Sequence, residues 1–243
     1  MKNYDYLHIR LLQTIFFVFL SLASIAQEKS ESDVFKAKTI TWYGVDFTSV
    51  KLLGSFNSFQ SVGDNFGDSL KTVYFEKWNQ IIADPSKFDL KTIFHVDHVN
   101  IHLDSANAFN TQIETEQIYG TDPDATELRL SQIQSVVTPY ANANTGIGLL
   151  FIVERLDKTQ ETAVLDLVSF DESTGKVLFA KRLYGSTGAS VINIGSSTKN
   201  DMITYWLKSF NTILQDLGKT RWEKWKKQSI KAPQKKTESE GTE

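Results

Sequence analysis

The chain carries no cysteine, although its first 26 residues read as a secretory signal. Exported domains are often stapled by disulfides, and with none available this fold must be held by a hydrophobic core. Lys2 and Arg10 flank a charged start, Leu11 to Leu22 is almost wholly apolar, and Ser24-Ile25-Ala26 supplies the small residues of a cleavage site. Cleavage there starts the mature protein at Gln27. Gln13 and Thr14 interrupt the apolar run, and a spanning helix needs about 20 apolar residues, so a cleaved signal is favoured over an anchor. The missing cysteine also removes the lipid attachment of bacterial lipoproteins. The expected address is periplasmic or secreted, with no transmembrane segment after cleavage.

Charge excludes one class of partner. The formal net charge is −3, and it is unevenly spread: residues 219–243 hold eight basic and four acidic side chains, while residues 27–218 hold 16 basic and 24 acidic. A body of that sign is a poor binder of phosphate backbones, which rules out nucleic acid as the main partner.

Residues 27–38 are polar and charged and read as a flexible lead. Ile40 to Phe47, rich in β-branched and aromatic residues, reads as a first, buried strand. Gly54 to Gly67 reads as a loop with aromatic feet at Phe56, Phe59 and Phe66. Leu70, Val73, Tyr74, Trp78, Ile81 and Ile82 recur at helical intervals from Asp68-Ser69 to Asp84-Pro85. A second strand is expected over Thr92–Leu103, then an irregular polar stretch to Gly120. Asp122-Pro123-Asp124 introduces another amphipathic helix, with Leu130, Ile133, Val136, Val137 and Tyr140 on its inner face and Pro139 as its stop. Leu149–Arg155, Thr162–Phe170 and Val177–Tyr184 read as a three-stranded antiparallel meander, with a positive φ at Gly175. Gly185–Ser197 is small and flexible in character. Lys199–Lys227 is the longest helical candidate, with Gly218 as an interruption before Trp222 and Trp225. Residues 232–243 read as a disordered tail. The expectation is an α+β fold: a mixed sheet including the meander, helices packed on one face and a long C-terminal helix, in a single domain over residues 39–231.

The order of elements, and Val164–Asp171 turning at Ser173-Thr174-Gly175-Lys176, resembles a bacterial cell-envelope α+β domain. This is the anticodon-binding-like module found ahead of the Tol-system propeller and in curli-secretion and penicillin-binding-protein-activator lipoproteins. The chain as a whole is similar to uncharacterised signal-bearing bacterial cell-envelope proteins whose fold begins with a Trp-Tyr-Gly-x-Asp-Phe strand, here Trp42 to Phe47. The resemblance implies scaffolding or partner binding and carries over no catalytic residues.

Four histidines occur, and the three beyond the signal lie within His95–Asp104. On a strand, His98, Asn100, His102 and Asp104 share one face, and two imidazoles with a carboxylate can hold Zn²⁺. The competing reading is a half-exposed strand with polar residues outward and Val99, Ile101 and Leu103 inward. Asp46, near the end of the first strand, is either a binding group or the residue that turns the chain into Thr48-Ser49. Glu154, Arg155, Asp157 and Asp166 suggest surface cross-strand ion pairs. At the C-terminal end, Lys219, Arg221, Lys224, Lys226, Lys227 and Lys231 surround Trp222 and Trp225, which suits peripheral contact with lipid headgroups or, alternatively, a packed helix with a basic last turn. No nucleophile elbow or phosphate-binding loop occurs. The sequence favours a non-enzymatic binding module of the cell envelope with an envelope protein as partner, and the alternative is a metal-dependent envelope enzyme using the His95–His102 cluster.

Overall fold

The β-branched and aromatic run after residue 38 forms strand β1 (Thr39–Asp46), whose side chains are buried from Ile40 onward. The structure, a computed structural model, describes residues 28–57, 59, 65–121, 127–188 and 201–231. The signal segment, the helix start at Asp122-Pro123-Asp124, most of the Gly185–Ser197 connection and the 232–243 tail lie outside the described residues.

β1 sits inside a six-stranded mixed sheet with β2 (Lys51–Leu53), β3 (His98–Ile101), β4 (Ile147–Asp157), β5 (Thr162–Asp171) and β6 (Val177–Ser186), and the spatial order is β3-β1-β4-β5-β6, with β2 beside β4. β1 runs parallel to β3 and β4, and β4, β5 and β6 form the expected antiparallel meander. Asp171 Oδ1 accepts from the Ser173 amide at 2.9 Å, and Gly175 adopts φ 67°, so the second hairpin closes as its residues demand.

Alternation along β1 is interrupted at Gly44, which has φ +94° and lies within a register shift between Trp42 and Val45. The extra residue is a β-bulge. It leaves Ile40, Trp42, Val45 and Phe47 in one apolar cluster and Tyr43 in another. The larger cluster takes α2 (Phe66–Ser69, a π-helical turn over Leu70–Tyr74, and Phe75–Ala83), α3 (Leu90–Phe94) and α7 (Met202–Asp216, a π-helical turn over Leu217–Arg221, and Trp222–Lys231). The smaller takes Ala106 of α4 (Asp104–Thr111), Ile133 and Val137 of α6 (Leu130–Val137), and Tyr140. A one-turn helix α5 (Thr115–Ile118) lies between α4 and α6.

The fold is α+β, as expected, but its helices cover both faces of the sheet rather than one. β4 supplies the reason: Ile147, Leu149, Phe151 and Val153 enter the larger cluster while Leu150 and Ile152 enter the smaller. A strand apolar on both sides needs cover on both.

Three local expectations also change. The lead is not wholly flexible, since Glu31–Lys36 forms helix α1, and Val34 and Phe35 are buried in the larger cluster. Charged neighbours hid that pair. Thr92 to Phe94 is helical rather than extended, because Asp89 caps α3 by accepting from Thr92 N, and Leu90 and Phe94 bury one turn apart. The irregular polar stretch holds α4 and α5. Leu130, expected inward, is 65% exposed. Gly218 does fall at an irregularity, the π-helical turn, but α7 continues through it to Lys231.

Candidate functional site

β1 and β2 lie along the same partner, β4, and the chain between them leaves the sheet. Asp46 makes the exit. Its Oδ1 accepts from Thr48 N at 2.7 Å and from Thr48 Oγ1 at 2.5 Å, a turn that Asp residues are suited to make. The reading of Asp46 as the residue that turns the chain therefore holds. Two buried asparagines replace the ladder at the break. Asn79 of α2 accepts from Val45 N and donates to Val45 O, while Asn110 of α4 donates to Val45 O at 3.0 Å and accepts from Phe47 N at 2.7 Å.

On its other side Asp46 faces the smaller cluster, where Tyr140 Oη donates to its Oδ2 at 2.7 Å. Asp46 is 1% exposed, and burial pushes its carboxyl above the usual carboxylate range against the hydrogen bonds from Thr48 and Tyr140. Burial and the neighbouring Asp46 together raise the Tyr140 phenol far above its ordinary value, so it remains a donor.

Above Asp46 lies a cleft of about 340 Å³. Thr48, Phe109 and Gln112 line it from the β1 and α4 side, Gln117 from α5, and Ser135 and Val136 from α6. After β1 the chain packs α2 and α3 on the face of the larger cluster, while after β3 it packs α4 and α6 on the other, with Ile118 of α5 returning to the first. The cleft thus lies by the carboxyl ends of parallel strands where the connections diverge, the place where open sheets hold ligands.

A second polar group lies on the same face. Glu154, fully buried, accepts from Arg182 Nη2 at 2.7 Å and Leu128 N at 2.8 Å. Asp166 is opposite Arg182 in the β5–β6 ladder and is 3% exposed. The cross-strand pair expected at the surface is an interior one.

The histidines separate. His95 caps α3 in the left-handed region, with Nε2 3.2 Å from Gly218 O and Nδ1 3.3 Å from Glu223. His98 is exposed on β3, His102 stacks on Tyr43 with centroids 5.1 Å apart, and Asp104 begins α4. Among the described residues no three His, Cys, Asp or Glu side chains are grouped so as to hold a metal, and His98, His102 and Asp104, the set of the alternative reading, are not brought together. Thr92–Phe94, where a strand is expected, belong to α3, and the left-handed His95 that follows lies outside β3. Trp222 and Trp225 belong to the core: Trp222 is 1% exposed, against Phe35 and Phe94, and Trp225 packs on Phe179. Neither indole is available to a lipid surface. Among the described residues no helix is long and apolar enough to cross a membrane.

Asn79, Asn110, Gln112 and Tyr140 are the site residues that composition did not single out. Asn79 had a legible signal, since it lies one turn after Phe75 on the buried stripe of α2, where an amide needs a partner. Asn110 had none, in a segment without an apolar period. Compared with protein-family models and with curated proteins, the sequence matches none.

Proposed function

We propose that the protein is a non-enzymatic binding module of the bacterial cell envelope, periplasmic or secreted, which receives a segment of an envelope partner in the cleft above Asp46. The signal-like residues 1–26 support the address. The observation that carries the binding role is the engagement of Asp46: Thr48 occupies one carboxyl oxygen and Tyr140 the other. A carboxyl so saturated shapes the floor of a site and is poorly placed to move protons for a substrate. Contact is left to the exposed amide of Gln112, to Gln117 and Ser135, and to the Phe109 ring.

The test is photo-crosslinking in cells. A photoreactive residue at Gln112 is expected to trap a discrete partner in the envelope fraction, whereas the same residue at exposed Lys77 on α2 traps none. Equal adducts at the two positions, or none at Gln112, would overturn the reading.

A further inference from the structure

Glu154 and Asp166 lie on adjacent strands and on the face of the sheet that carries Tyr43 and Asp46. Asp166 is opposite Ile152 on β4 and Arg182 on β6, and Glu154 stands at the register shift between Val153 and Arg155. Only one oxygen of Glu154 meets donors, those of Arg182 and Leu128. Glu154 Oε2 and Asp166 Oδ2 are buried and, among the described residues, accept no hydrogen bond from a protein N–H or O–H. Two buried carboxyls on one face of the sheet, each with an oxygen that accepts nothing and with Arg182 beside both, favour keeping one proton between them, because the charge of Glu154 raises the Asp166 carboxyl.

Other groups decide what that proton does. β4 adds Arg155 next to Glu154, β6 adds Arg182 and Tyr184, and the segment before α6 adds Glu127 and Arg129. Arg182 bridges them. Its Nη1 is 3.0 Å from Glu127, and its Nη2 donates to Leu128 O at 3.1 Å as well as to Glu154. With Glu154 accepting from Leu128 N, the pair and Arg182 together hold residues 127–128 onto the sheet. That short segment leads into α6, the wall of the cleft that carries Ser135 and Val136.

We propose that the Glu154–Asp166 pair is a proton-operated latch: with one proton shared between the carboxyls, Arg182 holds Glu127 and the Leu128 carbonyl, and when that proton leaves, Arg182 turns to Asp166 and releases the start of α6. Burial first, and then the charge of Glu154, push the Asp166 carboxyl up to about 7, which places the release near neutrality. A second buried negative charge at Asp166 would share the guanidinium of Arg182 with Glu154, and leaving a charge without its full partner in the interior is costly. The latch does not depend on what occupies the cleft.

Hydrogen exchange measured by mass spectrometry on the mature chain, at about pH 6 and about pH 8.5 and corrected for intrinsic rates, reads the opening directly. Amides of residues 127–137 are expected to lose roughly tenfold or more of their protection at the higher pH, while those at the centre of β5 keep theirs. In Asp166→Asn, which is neutral throughout and donates to Glu154, protection is expected to stay high at both values. Equal protection of the native chain at both pH values, or a loss that persists in Asp166→Asn, would refute the latch. If the variant does not fold, infrared titration of the native protein decides: a buried protonated carboxylic acid that ionises near pH 7 supports it, and the absence of such a band at pH 6 rules it out.

Discussion

Tyr140 reaches Asp46 across 94 residues of sequence, its hydroxyl donating to the carboxyl Oδ2 at 2.7 Å. The contact joins the end of β1 to the turn that closes α6, and so fixes two sides of the cleft to each other. Tyr140→Phe removes the donor and leaves a buried carboxyl oxygen unpartnered. The expected loss is about 1–3 kcal/mol of stability, read from urea denaturation at neutral pH. An unchanged midpoint would show that the contact does not hold the floor of the cleft.

Stability should also fall with rising pH because of Asp166. Its carboxyl in the fold is held up to about 7, from an ordinary value of 3.8, so between those limits the folded chain binds more protons than the unfolded one. The contribution is complete below the unfolded value and is lost as the pH climbs through about 7. Urea midpoints from about pH 5 to about pH 8 should decline for the native chain and decline less for Asp166→Asn. Parallel pH profiles would contradict the assignment.

Gly44 is the least replaceable residue of β1. Its φ of +94° is one that L side chains rarely adopt, and a Cβ there would lie 2.6 Å from Asn79 Oδ1. Gly44→Ala is expected to destabilise the fold by about 1–3 kcal/mol through the overpacked contact, with a further cost from the strained backbone. Thermal unfolding checks the loss, and a variant as stable as the native chain would show that the bulge tolerates a side chain.

Trp222→Ala opens a cavity between Phe35 and Phe94, whose ring centroids lie 4.9 and 5.2 Å from the indole. A loss of about 3–5 kcal/mol is expected. Anionic vesicles should leave the tryptophan emission of the native protein unchanged, because Trp222 and Trp225 are already enclosed by apolar side chains. A vesicle-dependent shift would return these indoles to a membrane role.

Patterns carried by neighbouring residues were legible in the chain. The meander could be read because Asp157, Asp171 and Gly175 mark turns between apolar runs, and those signals act within a few residues. α7 was legible for the same reason, as Trp206, Phe210, Ile213, Leu214 and Leu217 keep a helical period that is buried as a stripe. The expected second strand holds at His98–Ile101 but begins too early, at Thr92, because residue spacing alone does not separate a strand from a capped turn of helix followed by a left-handed residue. The cap at Asp89 was the missing signal.

By itself, then, the sequence determined the alternation, the helical stripes and the turns, which are local consequences of side-chain period and backbone preference, and with them the α+β class. Only the tertiary structure decided which polar groups lose their water. Asp46, Glu154 and Asp166 look alike in the chain as single acids near strand ends or within strands, yet one becomes a saturated floor and two become a shared-proton pair. That difference comes from burial and from partners such as Tyr140 and Arg182, which only packing brings within reach.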